Sequence, residues 1–178
     1  MQRLSISEVN SSDAFRLSLI RWQFVAGLSF RSETFSEGRQ VAIFKGALRT
    51  VTRALGVRFR ESVWALKLEW GELGDRPHFH ALLTGFPASQ VTLATCRRIG
   101  NAWKQKGGGH ELEVSVLEQS KPGLAYVAKQ LGPRLLNRVR NTAKFGVNGK
   151  DMLFSDNFVW AAESSAFRAR SLGSFLRE

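Results

Sequence analysis

Tyrosine and cysteine each occur once in this chain of 178 residues, and histidine occurs three times. The lone Cys96 excludes an internal disulfide and every Cys-x-x-Cys zinc or redox motif, which fits a reducing compartment. Structural zinc asks for four Cys or His ligands, and one Cys with three His in the whole chain argues against such a site. No run of 18 apolar residues is present, so no transmembrane span and no membrane partner are expected. The first residues, Met1-Gln2-Arg3-Leu4-Ser5-Ile6, lack the apolar core of a signal peptide. Acidic residues are also scarce, 15 against 26 Lys and Arg, leaving a net charge of +11. Such an imbalance points to a polyanionic partner, nucleic acid above all.

Enough apolar residues are present to build a core: 43% hydrophobic and 11% aromatic. The length suits one domain. Leu17 to Phe30 holds a first strand. Ser36 caps a helix that runs to about Leu55, with Gly56 closing it. Phe44, Leu48, Val51 and Leu55 form its apolar face, flanked by a basic stripe of Lys45, Arg49 and Arg53, which is either a phosphate-binding surface or a solvated face. Val63 to Trp70 and His78 to Thr84 read as an antiparallel hairpin around the Gly- and Pro-containing loop of residues 71–77. A second helix starts at Ser89 or Thr92 and stops at Gly107-Gly108-Gly109. Glu111 to Leu117 alternates as a further strand, and Pro122 opens a helix carrying Tyr126 and Lys129. The expected class is therefore α+β, in the order β-α-β-β-α-β of a ferredoxin-like, RRM-like split β-α-β domain, with the tyrosine helix after the last core strand. Val159 to Arg170 holds a final helix. Residues 1–135 read as the core, and 136–178 as a basic C-terminal extension of the same domain.

The chemistry-bearing residues are few. His78 and His80 fall on one face of a strand, with Phe79 pointing the other way into the core. Two imidazoles at that spacing can hold one metal ion. If residue 69 lies across the hairpin from residue 78, Glu69 completes the site; Glu72, nearer the turn, is the competing carboxylate. His110 stands apart. Two histidines, one carboxylate and open positions suit a catalytic Mn²⁺ or Mg²⁺. Tyr126 is either a core aromatic or a nucleophile. Leu124, Val127, Ala128 and Leu131 can form the buried stripe of its helix, leaving Tyr126 and Lys129 to one side. A tyrosine hydroxyl, with an ordinary pKa of about 10, attacks only when activated, and a lysine one turn later can stabilise the phenolate or the phosphate charge. From Lys121 to Lys150 there is no acidic residue, and Lys121, Lys129, Arg134, Arg138, Arg140 and Lys144 make this stretch a phosphate-tracking surface. Arg76, just ahead of the histidines, belongs to the same set.

Arg76-Pro77-His78-Phe79-His80-Ala81-Leu82-Leu83 and Gly123-Leu124-Ala125-Tyr126-Val127-Ala128-Lys129, in that order, resemble the second and third motifs of the HUH single-strand endonucleases. The chain is most similar to their single-tyrosine rolling-circle replication initiator (Rep) branch. The resemblance spans about residues 17 to 135, with Gln23 to Phe30 in the place of the family's degenerate first motif. It implies nicking and joining of single-stranded DNA at an origin site, free or in a hairpin, through a 5′-phosphotyrosine at Tyr126. It also implies a metal at His78, His80 and an acidic residue of the preceding strand. Gly146-Val147-Asn148-Gly149-Lys150-Asp151 lacks the spacing of a nucleotide-binding helicase loop, so a host or separate helicase is implied as partner. The implied compartment is the cytoplasm of a bacterial host, or the nucleus of a eukaryotic one. Conjugative relaxases place the tyrosine before the histidines and fit less well. A single-tyrosine HUH transposase is the alternative enzyme. A non-catalytic module that stacks bases on Trp64 and Trp70 is the alternative of another class.

Overall fold

A computed structural model describes Leu17 and residues 19–70, 77–117 and 153–164. The elements run β1 (Phe24–Phe30), α1 (Glu37–Ala54), β2 (Val63–Trp70), β3 (Pro77–Thr84), α2 (Leu93–Gln105), β4 (Gly108–Val116) and β5 (Leu153–Phe154). A helix, α3, covers 158–164. The described residues fall into two units, 22–117 with 153–155, and 17–21 with 156–164. The first holds the sheet and the histidines.

The fold is α+β around a five-stranded antiparallel sheet in the order β4-β1-β3-β2-β5. Helix α1 starts where the Ser36 side chain accepts from the Arg39 amide and ends ahead of Gly56, whose φ of 68° is cheap only for glycine. Thr92 caps α2 in the same way, accepting from the Thr95 amide. Each strand of the β1–β3–β2 centre sends alternate residues into one core. Phe24, Ala26, Leu28 and Phe30 come from β1, Trp64, Leu66 and Leu68 from β2, and Phe79, Ala81 and Leu83 from β3. The helices supply Phe44, Ala47, Leu48 and Val51 from α1 and Cys96, Ile99, Ala102 and Trp103 from α2. The helices thus cover one face of the sheet, and the intervening strand residues make up the other.

Three expectations need correction. The first strand begins at Phe24, not near Leu17. The second helix stops at the glycines as expected, its last residue being Gln105 and Gly107 turning with φ 107°, but β4 starts at Gly108 rather than Glu111. Close packing is the reason. A Cβ on Gly108 would lie 2.1 Å from Trp103 Nε1, and one on Gly109 would lie 2.5 Å from Ser29 Oγ. Gly108 lets β4 run under the Trp103 ring, whose Nε1 donates to the Ser29 carbonyl at 2.8 Å. Finally, Leu153–Phe154 adds a short fifth strand to β2, pairing Ala65 with Phe154. The Ser155 side chain and amide close it by bonding the Trp64 backbone.

Candidate metal centre

His78 and His80 lie in the middle of the sheet because β3 is flanked by β1 and β2. Phe79, between them, is 0% exposed. It meets Phe30, Phe44 and Trp103 edge to face at centroid separations of 5.0, 6.3 and 6.5 Å. This locks the strand from behind, so the two imidazoles stand half-buried on the face away from the helices.

The imidazoles converge. Their Nε2 atoms are 3.1 Å apart and their ring centroids 4.9 Å. Two nitrogens bound at about 2.1 Å to one ion, at a right angle, would be separated by about 3.0 Å. The two nitrogens are within hydrogen-bond distance of one another, a separation that also matches adjacent ligands in an octahedral sphere. The hairpin register places Glu69 directly across from His78, as the sequence suggests, and Lys67 across from His80. On the other side, β1 sets Ser29 against His78 and Gly27 against His80. Among the described residues, no three His, Cys, Asp or Glu side chains come close enough together to hold an ion. Two imidazoles converge on one another, and the backbone of Glu69 is paired with that of His78.

Lys67 is a feature that sequence reading passed over. It is 1% exposed and alternates with the core residues Leu66 and Leu68, so it belongs to the histidine face. The signal was available: Lys67 and Glu69 share the alternation of β2. Glu113 was passed over in the same way; it shares the histidine face through its pairing with Gly27.

The basic stripe of α1 is real but stands elsewhere. Lys45 Nζ lies 5.5 Å from the centroid of the Trp64 ring, and Arg49 Cζ lies 4.7 Å from that of Phe59. Arg53 is exposed on the last turn. These residues belong to the helix layer, on the opposite side of the sheet from His78 and His80. Cation–π contacts of this kind stabilise by about 0.5–1 kcal/mol when exposed, so Lys45 and Arg49 have structural work of their own. Trp64 is 4% exposed and packs on Phe44 at 5.4 Å, which removes it as a platform for stacked bases. His110 is exposed near the start of β4. Tyr126, Lys129, Glu72, Arg76, Lys121, Arg134, Arg138, Arg140 and Lys144 lie outside the described residues. No helix among the described residues is long and apolar enough to cross a membrane. No family model matches the chain, and no curated protein is significantly similar to it.

Proposed function

We propose that this chain is a metal-dependent endonuclease of the HUH type, close to the single-tyrosine Rep proteins, which nicks and rejoins single-stranded DNA to initiate rolling-circle replication. The observation that carries the proposal is the His78–His80 pair, with Nε2 atoms 3.1 Å apart on the sheet face away from the helices and Glu69 in backbone register with His78. An α+β fold with helices on one face of an antiparallel sheet is compatible with the ferredoxin-like split β-α-β core that this reading implies.

In this reading His78, His80 and Glu69 would hold Mn²⁺ or Mg²⁺. When bound there, the ion would supply Lewis-acid polarisation of the scissile phosphate. Tyr126 Oη attacks phosphorus, the P–O3′ bond breaks, and the departing 3′ oxygen gains the proton that the phenol loses. The products are a 5′-phosphotyrosine and a free 3′-hydroxyl. Because one phosphodiester replaces another, a later 3′-hydroxyl can reverse the step and join the ends. Lys129 neutralises charge that develops on the phenolate and phosphate oxygens. The cations of Lys121 to Lys150 hold the strand through its phosphates.

The test is incubation of the protein with a pool of single-stranded oligonucleotides and Mn²⁺, followed by recovery of covalent adducts and sequencing of the attached DNA. The reading expects an adduct that survives boiling in detergent and disappears in Tyr126→Phe, which removes only the hydroxyl. An adduct that persists in Tyr126→Phe would reassign the nucleophile, and no adduct at all would sink the enzyme reading.

A further inference from the structure

The face that carries the histidines has a second carboxylate in line with them. Across the sheet from β4 to β2, a single row contains Glu113, Gly27, His80 and Lys67, each paired with the next. Paired residues of antiparallel strands point to the same side. The packing agrees: Leu112 and Val114, on either side of Glu113, pack on the helix-side core. Glu113 is exposed.

Gly27 stands between Glu113 and His80 with no side chain. A Cβ built there meets nothing within 4 Å, so no neighbour demands a glycine for close approach. Its φ is also not in the left-handed region, where glycine alone is at ease. The missing side chain leaves a trench one strand wide, open above the backbone. With strands about 4.8 Å apart, the Cα atoms of Glu113 and His80 are separated by about 10 Å. That span suits two side chains reaching toward each other with a water between them. A direct three-residue cluster is not formed among the described residues. Mg²⁺, and Mn²⁺ with it, characteristically keep several bound waters rather than filling their sphere with protein atoms.

We propose that Glu113 is a positioning residue for the cation held at His78 and His80, accepting hydrogen bonds from the ion's bound waters across the Gly27 trench. The proposal rests on the metal centre described under Proposed function. It adds a carboxylate from a different strand, on the side opposite Glu69: Glu69 is in register with His78 on β2, whereas Glu113 shares the row of His80 on β4. The contribution is electrostatic and geometric. A negative charge facing the bound waters favours the divalent ion and fixes which coordination positions keep water and which are open to a phosphate. A plainer role exists for an acidic residue on an edge strand, because charge there discourages pairing with another chain. That role would leave metal affinity alone.

Mn²⁺ binding separates the two roles without reference to activity. The full chain is titrated with Mn²⁺ and the free ion is followed by electron paramagnetic resonance. Wild type, Glu113→Gln, Gly27→Val and the double variant His78→Ala/His80→Ala are compared, and circular dichroism checks each fold. Wild type should bind one ion and the double variant none. Glu113→Gln should weaken binding by roughly 10-fold, the usual cost of losing a group that orients metal ligands. Gly27→Val, which fills the trench while leaving both carboxylate and histidines, should weaken it similarly. Unchanged affinity in Glu113→Gln with wild-type binding intact overturns the role of Glu113 and leaves the histidine site standing. Abolished binding in Glu113→Gln overturns the water-mediated role in favour of direct ligation. No Mn²⁺ bound by wild type overturns the metal centre itself, and this inference with it.

Discussion

Phe79 shows how one residue can serve packing and chemistry at once. Its ring is fully buried among Phe30, Phe44 and Trp103, and its two neighbours in sequence are the histidines. Strand alternation converts a buried ring into two outward imidazoles whose separation does not depend on a loop. Truncation to alanine should therefore cost stability, about 3–5 kcal/mol for a fully buried phenylalanine, and denaturant titration measures it. Truncating the histidines should affect chemistry rather than stability. His78→Ala/His80→Ala removes half-buried polar side chains and leaves the core untouched. Stability should stay nearly constant, cleavage should vanish, and single-strand binding should persist if, as proposed, the phosphates are held by Lys and Arg. Cleavage at full rate in excess chelator would contradict this. The thiol of Cys96 offers a control on the same core. Burial pushes its pKa up, and alkylation needs the thiolate. Modification by iodoacetamide at neutral pH should therefore be slow in the native protein and fast in urea.

At the scale of elements, the hairpin and its register carry the site, and this was the part most legible in the sequence. Alternation in Val63 to Trp70 and His78 to Thr84 needed only a turn between them, and once the turn is given, residue 69 falls opposite residue 78. That register predicts which carboxylate matters. Glu69→Gln should raise the Mn²⁺ concentration needed for half-maximal nicking, with partial rescue by excess metal, while Glu72→Gln should leave it unchanged. The reverse pattern would place the ligand in the loop of residues 71–76. Other elements were illegible for identifiable reasons. The early start of β4 was hidden by three consecutive glycines, which read as a loop, because the ring that bars a side chain at Gly108 is Trp103, contributed by the preceding helix. Gly108→Ala tests that account. A methyl 2.1 Å from Trp103 Nε1 must displace the indole or the strand, so a loss of roughly 1–3 kcal/mol is expected from overpacking, against ~0.5 kcal/mol or less for an ordinary surface change. Strand β5 has two residues, too few for any periodicity. Lys67 and Glu113 were passed over for a different cause: a charged residue between apolar ones reads as solvent-facing, although strand alternation already sets it on the face away from the core. The strand pairing shows that both belong to the histidine face.

At the scale of the whole molecule, charge is unevenly spread along the chain. No Asp or Glu occurs from Pro77 to His110, nor from Lys121 to Lys150. The two stretches are separated by a segment containing Glu111, Glu113 and Glu118. The acidic residues of β4 therefore interrupt a basic sequence at the strand that borders the histidine face, which fits anionic DNA held by flanking cations and a cation wanted at the centre. Binding to single strands should then fall steeply with salt, the log–log slope changing by roughly 0.7 for each phosphate contact. Position matters more than number. Lys45 and Arg49 lie over Trp64 and Phe59 in the helix layer, on the far side of the sheet from the histidines. Replacing both with glutamine should leave the salt slope unchanged within error while lowering stability slightly. Replacing Arg134, Arg138 and Arg140 should flatten the slope by about 2 units if each meets a phosphate. Fluorescence anisotropy of a labelled oligonucleotide from 50 to 300 mM salt, roughly the range over which such contacts dominate, reads both. If the α1 pair carries the slope and the arginines after Pro133 do not, the strand runs over the helices rather than over the histidine face, and the proposed path of the DNA is wrong.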